Sequence, residues 1–318
     1  MAILHYESLT HTDLQALPRD RTVVMLTVSP LEQHGPHLPY GTDPIQATMI
    51  GELLVERLHP KFPEWNWLFL PPISLGCDTM INQGSIEIKP ITLRAVVYDH
   101  LQQLAKDGFK NVIALNAHAG PRHVVILEEL AAKVRWRHRM RMISASSRII
   151  VEVLKGNFVE RIDKKLQLLE QKLSDEERKG LKHDYHGGML ETSMMLALRP
   201  DLVKPMYREL RPEIVERMWK IGRKSAAQTG KGLGYLGSPA LARPEIGRAA
   251  IEAIFDEVLP LIERFLNGED VRKDFRSKFY YIPIFRTDFK WMIFIALYAG
   301  AFGTAWIILV RLMADMAK

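Results

Sequence analysis

Apolar and polar positions alternate between two periods over the first half of the chain. Val23-Val24-Met25-Leu26-Thr27-Val28 is an almost unbroken apolar run, the pattern of a strand buried on both faces. Pro44 through Leu58 then repeats apolar residues at helical spacing. Trp67-Leu68-Phe69-Leu70 reads as a short strand stopped by Pro71-Pro72. Leu93 to Asp107 reads as a helix, Asn111 to Asn116 as a second strong strand, His123 to Arg135 as a helix and Arg141 to Ala145 as a further strand. Such alternation predicts a mostly parallel sheet flanked by helices.

Beyond Ser147 the pattern changes. Residues 158–182 are rich in Lys, Glu, Gln and Leu and read as a charged helix or helical hairpin, inserted into the domain. It is either a solvated arm, a lid or an oligomer contact. A glycine-rich run, Gly230-Lys231-Gly232-Leu233-Gly234-Tyr235-Leu236-Gly237, leads into a helix over Pro244 to Phe265. Residues 267–290 form a polar, basic linker. Trp291 to Val310 then carries no charge over twenty residues. At about 1.5 Å per helical residue that run matches a hydrocarbon core of roughly 30 Å. The expectation is a single-pass membrane anchor at 291–310, with one large domain, 1–266, before it. Arg272, Lys273, Arg276, Lys278, Arg286 and Lys290 flank it on one side, which places that domain on the cytoplasmic face. Small residues one turn apart, Ala299 and Gly303, allow helix association, and a homo-oligomer is expected.

Composition narrows the chemistry. With 318 residues, 47% of them hydrophobic and 25% charged, the chain can bury a large core. Its one cysteine, Cys77, rules out an intramolecular disulfide and any cysteine-built metal site. This usage fits a reducing compartment. A net charge of +6 comes without any nucleic-acid recognition motif, so no nucleic-acid partner is expected. The first residues lack the basic and apolar regions of a signal peptide.

Three polar clusters stand out. Glu32-Gln33-His34-Gly35-Pro36-His37-Leu38-Pro39-Tyr40-Gly41-Thr42-Asp43 holds two carboxylates and two imidazoles just past the first strong strand. In an open α/β sheet, ligands bind beyond the carboxyl ends of strands. Carboxylates mixed with imidazoles suit Zn²⁺, Mn²⁺ or Fe²⁺. Asn116-Ala117-His118-Ala119-Gly120 follows a second strand end, where His118 could join the first cluster. His186-Gly187-Gly188-Met189-Leu190-Glu191-Thr192-Ser193 is the third, with His183 close by. Glu191 there opens an apolar stretch, where a carboxylate needs a partner, a helix dipole or a cation.

Together these segments resemble the creatininase (creatinine amidohydrolase) family. The first matches its E-Q-H-G-P-H-L-P-x-G-T-D signature, the second its N-G-H-G-G motif and the third its H-A-G-x-x-E-T-S motif. Gly234-Tyr235-Leu236-Gly237-Ser238-Pro239 resembles a late G-x-x-G-x-P segment. The resemblance covers about residues 5–265. It implies a three-layer α/β/α domain with two divalent metal ions. By motif, Glu32, Asp43 and His118 hold one ion. His34, Asp43 and a further carboxylate hold the other, with Asp43 bridging. Creatininase proper takes that carboxylate from two residues after the motif histidine; here that position is Gly120, and Glu191 is the candidate replacement. His186 matches the family's catalytic histidine.

The chain departs from the family in places. Pro121 stands where relatives carry Asn, and Met189 where many carry Glu. The segment from Gly76 to Ser85 lacks the family's usual histidine. No tryptophan occurs between Trp136 and Trp219, a stretch creatininase proper uses near its substrate. The expected function is therefore hydrolysis of a cyclic amide, formamide or related C–N bond in a small molecule other than creatinine, by a metal-activated water. The alternative is a non-catalytic metal-binding scaffold at a membrane.

Overall fold

The computed structural model describes residues 3–80, 82–154, 156–215 and 232–316. Trp219, Gly230 and Lys231, named above, lie outside the described residues. Five strands form one sheet in the order β1-β3-β2-β4-β5: β1 (Ile3–His5), β2 (Thr22–Thr27), β3 (Asn66–Phe69), β4 (Asn111–Leu115) and β5 (Arg141–Ser144). All neighbours pair in parallel. Val24 of β2 lies opposite Leu68 on one side and Val112 on the other, so β2 is the middle of the sheet.

Alternation along the strands splits the core into two layers. Val23 and Met25 face one side with Trp67, Ile113 and Ile143. Helices α2 (Thr42–Leu58), α6 (Val159–Gln167), α8 (Met189–Leu198) and α9 (Pro244–Leu266) cover that side. Val24 and Leu26 face the other with Leu68, Val112 and Ala114, beneath α3 (Pro90–Lys106) and α4 (Pro121–His138). This is the expected three-layer α/β/α arrangement. Both faces of β2 are covered, which is why its sequence is a run and not an alternation. From β2 the chain steps to β3 on one flank, and β4 lies on the other. The carboxyl ends of β2 and β4 therefore form a switch point, the usual ligand crevice of such sheets.

Shorter elements escaped the sequence pattern: β1, α1 (His11–Ala16) and α5 (Ser147–Leu154). The charged segment at 158–182 forms α6 and α7 (Asp175–Lys182), and it is docked. Ile162, Leu166, Leu173 and Leu181 are buried in the main core. Arg161 pairs with Glu257 and Lys165 with Asp256 on α9. The polar linker is docked as well. Val271 and Phe275 are buried, and Glu128 on α4 accepts a hydrogen bond from the Ser277 N–H at 2.6 Å. Glu129 accepts one from the Thr287 N–H at 3.1 Å.

The membrane expectation is corrected. Helix α10 (Phe289–Met316) contains the charge-free run and exposes Leu297, Tyr298, Phe302 and Trp306. A span needs about 20 consecutive apolar residues. Among the described residues, no helix is long and apolar enough to cross a membrane. The single-pass anchor at 291–310, and with it the membrane partner and the cytoplasmic-face location, is withdrawn. Two of the cations that read as a flanking charge bias are instead engaged locally. Arg272 pairs with Asp270 at 2.7 Å, and Arg286 with Asp288 at 2.9 Å and Glu129 at 3.4 Å.

If residues 267–288 are a docked strap, removing its buried ring weakens the whole domain. Phe275→Ala is expected to cost about 3–5 kcal/mol in urea unfolding. An unchanged midpoint would show that the strap contributes nothing to the fold.

Candidate metal centre

Three loops at the switch point carry the polar clusters. The first runs from the end of β2 to α2. Its course is held by the Glu32 N–H donating to the Tyr40 carbonyl at 3.0 Å and the Gln33 N–H donating to Ser85 Oγ at 3.0 Å. It delivers Asp43 into the first turn of α2, where free N–H groups and the helix dipole favour a carboxylate. The second follows β4. Asn116 clamps it: Oδ1 accepts from Ser29 Oγ at 2.9 Å and from the His118 N–H at 2.9 Å, while Nδ2 donates to the His118 carbonyl at 2.7 Å. The third precedes α8. An antiparallel bridge joins His186 to Leu236, and Asp184 accepts from the Met189 and Leu190 N–H groups at 2.7 Å each, capping α8. Gly187 sits between them at φ +55, and a Cβ there would lie 2.9 Å from the His34 carbonyl oxygen. The chain can pass this point only as glycine.

Each of two histidines is oriented by a backbone carbonyl. A carbonyl only accepts, so the facing ring nitrogen must carry the proton. His34 Nδ1–H donates to the Glu32 carbonyl at 2.9 Å. Its other nitrogen, Nε2, then faces Asp43 Oδ1 at 3.1 Å and Glu191 Oε2 at 3.7 Å. His118 Nε2–H donates to the Cys77 carbonyl at 3.0 Å. Its Nδ1 faces Glu32 Oε2 at 2.9 Å and Asp43 Oδ2 at 3.5 Å. Asp43 thus turns one oxygen to each histidine. Glu32, His34, Asp43 and His118 are all buried.

This concentration of charge shifts the titration of four of these groups. Burial opposes a charge on His34, but Asp43 and Glu191 outweigh it and lift the pKa to about 10. Burial likewise opposes charge on His118, and Glu32 and Asp43 raise it well above the usual imidazole value. For Asp43, burial favours the neutral acid, yet His34 and His118 hold the carboxylate well below its ordinary range. Glu32 is lowered too, against its burial, by His186 and His118. Two neighbouring imidazoles go the other way. Burial lowers His37 to about 4, and its Nε2 lies 2.8 Å from Thr192 Oγ1. Burial lowers His123 to about 3, with its ring edge-on to His118 at 5.3 Å.

The donor set fits a divalent cation. Ligating histidines normally donate their second N–H to a carbonyl or carboxylate, as His34 and His118 do. Glu32 Oε2 and Asp43 Oδ2 are buried without a hydrogen bond of acceptable geometry. Buried carboxylate oxygens need a partner, and a cation supplies one. Ligand atoms converge within 4.8 Å in three sets: Glu32, Asp43 and His118; His34, Asp43 and Glu191; and Glu32, His34 and His186.

All six residues singled out from the sequence are therefore brought together. Position 120 has no room for a carboxylate side chain. A Cβ on Gly120 would lie 2.4 Å from His118 Nε2 and 2.7 Å from the Cys77 carbonyl. A side chain there would break the hydrogen bond that orients His118. Glu191 reaches the site instead from the first turn of α8, its carboxylate accepting from the Gly187 N–H. Sequence reasoning missed the supports: the Cys77 carbonyl, the Met80 N–H that donates to Glu32, and Asp184. Only Asp184, two residues before His186, offered a readable signal.

The family model for creatininase, described as creatinine amidohydrolase, matches residues 7–262. The chain belongs to the creatininase family. Creatininase relatives are distant in sequence. The mycofactocin precursor peptide peptidase of Mycobacterium ulcerans (strain Agy99) is 24% identical over 260 residues, covering 80% of this chain and 90% of that protein. Creatinine amidohydrolase of Pseudomonas putida is 28% identical over 188 residues, covering 57% and 66%. A solved creatininase structure with manganese aligns over 86% of this chain and 98% of its own, at a TM-score of 0.56 and 21% identity. That likeness shows a shared fold.

Metal loading must displace the protons that hold this cluster together. The His34 pKa is raised to about 10, so without metal that imidazole is protonated at pH 7.5 and loses its proton to a cation, and His118 is raised in the same direction. Calorimetry in buffers of different ionisation enthalpy is expected to show at least about one proton released per chain on saturation. Release should shrink as pH rises through the histidine pKa values. No proton release at pH 7.5 would contradict this electrostatic picture.

Proposed function

We propose that this creatininase-family chain is a dinuclear metal-dependent amidohydrolase. In this reading Glu32, Asp43 and His118 hold one ion, and His34, Asp43 and Glu191 hold the other. The observation that carries it is Asp43. Its Oδ1 lies 3.1 Å from His34 Nε2 and its Oδ2 3.5 Å from His118 Nδ1, the disposition of a bridging carboxylate. Mixed nitrogen and oxygen donors favour Zn²⁺, Mn²⁺ or Fe²⁺. When bound, such a pair supplies an acidified water and a Lewis acid for an amide carbonyl.

The chain's own groups do the rest. His186 Nε2–H donates to the Gln33 carbonyl at 2.6 Å, which leaves the lone pair on Nδ1. The same Nε2 lies 3.8 Å from Glu32 Oε1, so His186 stands beside the cluster, and in this reading it passes a proton from the attacking water to the leaving nitrogen. Its ring packs on His34 at 4.2 Å, which limits its rotation beside the cluster. The substrate is a small molecule with an amide C–N bond. Asp78, in the altered 76–85 segment, accepts from the Arg122 backbone N–H at 2.7 Å and from Arg122 Nε at 2.6 Å.

The second reading is a scaffold that binds metal without turnover. One variant separates the roles. His186→Ala is expected to retain its metal by elemental analysis and to lose about 10²–10⁴-fold in rate on any amide turned over. Loss of one ion would make His186 a ligand with Glu32 and His34. Undiminished activity would remove it from the mechanism. A fully metallated wild type inert towards all amides tested would favour the scaffold.

A further inference from the structure

A cavity of about 140 Å³ opens behind the metal centre, between α2, α5, α8 and α9. His186 and Glu191 form part of its wall, so it is continuous with the proposed site. Its remaining lining is mostly aliphatic and aromatic: Ile50, Leu54, Ile149, Met194, Ile254 and Phe255. Most polar neighbours are engaged elsewhere, although Ser146 Oγ is buried there without a hydrogen-bond partner. Gln46 donates to the Glu191 carbonyl at 2.9 Å, and Asn116 clamps the His118 loop. Protein cores are otherwise packed to crystal-like density, and a cavity of this size weakens a domain. An apolar cavity of roughly 150 Å³ holds a benzene-sized group.

We infer that the amide hydrolysed here carries an apolar group of about six carbons, which seats in this cavity while the C–N bond lies at the metal centre. The inference rests on the amidohydrolase reading, but the cavity can be tested apart from it. Among the described residues no lysine or arginine lines the cavity, and its carboxylates, Asp184 and Glu191, accept from the Met189, Leu190 and Gly187 N–H groups, so charge on that group is disfavoured. Each methylene buried contributes a constant increment, and affinity should follow chain length until the cavity is full.

The test uses unhydrolysable alkyl methyl ketones with alkyl groups of four to nine carbons, titrated calorimetrically into the metal-containing protein. Affinity is expected to rise about fourfold per methylene and to stop rising near six carbons. Straight-chain amides of the same lengths should show the same break in kcat/KM. Ile254→Trp and Val153→Trp fill the cavity from two walls and should move the break to shorter chains. Circular dichroism and metal content check that each variant folds; if neither does, the wild-type profile alone decides. A profile flat from four to nine carbons, or unmoved in a folded filled variant, overturns the inference. Chain-length-dependent ketone binding without amide turnover keeps the cavity assignment and sinks the hydrolase reading. Turnover without any length dependence does the reverse.

Discussion

The centre depends on one buried carboxylate shared by two imidazoles. Asp43 is held in the first turn of α2, and its two oxygens face His34 and His118 from opposite sides. Each imidazole is locked by a backbone carbonyl, so the nitrogen that faces Asp43 cannot rotate away. Burying this much charge is unfavourable unless cations balance it. Without metal the balance falls to protons on the two histidines. With metal it falls to the ions. The surrounding loops are arranged to keep these few atoms within reach of one another: Asn116 grips the His118 loop, and Asp184 caps the helix that carries Glu191.

That arrangement explains the close spacing of Glu32, His34 and Asp43 in sequence. A loop leaving the middle strand of a parallel sheet must turn sharply to enter a covering helix, and Gly35, Pro36 and Gly41 allow it. The same loop then delivers three ligand candidates without long-range help. His118, His186 and Glu191 arrive from elsewhere because β4 is next to β2 and because His186 bridges to Leu236. Sheet order, and not sequence distance, sets who meets whom.

Much of this was legible in the chain. Apolar runs at 23–28 and 111–116 have one interpretation in an α/β protein, and the signature from Glu32 to Asp43 is dense enough to mark chemistry. Other features were hidden for physical reasons. Backbone groups such as the Cys77 carbonyl and the Met80 N–H have no residue-type signal. Short elements such as β1 carry too few residues for a period. Leu166 and Leu173 sit among charges, so their burial against the core was masked by the polar composition around them. The run at 291–310 was read by hydropathy alone, and the strap before it by charge alone. In the fold, Arg272 and Arg286 serve local ion pairs, and no described helix meets the requirement of a span.

The proposal that two ions share Asp43 is tested most directly by anomalous diffraction from crystals grown with manganese. Two peaks are expected, one among Glu32, Asp43 and His118 and one among His34, Asp43 and Glu191. A single peak among Glu32, His34 and His186, with Asp43 touching no metal, would contradict it.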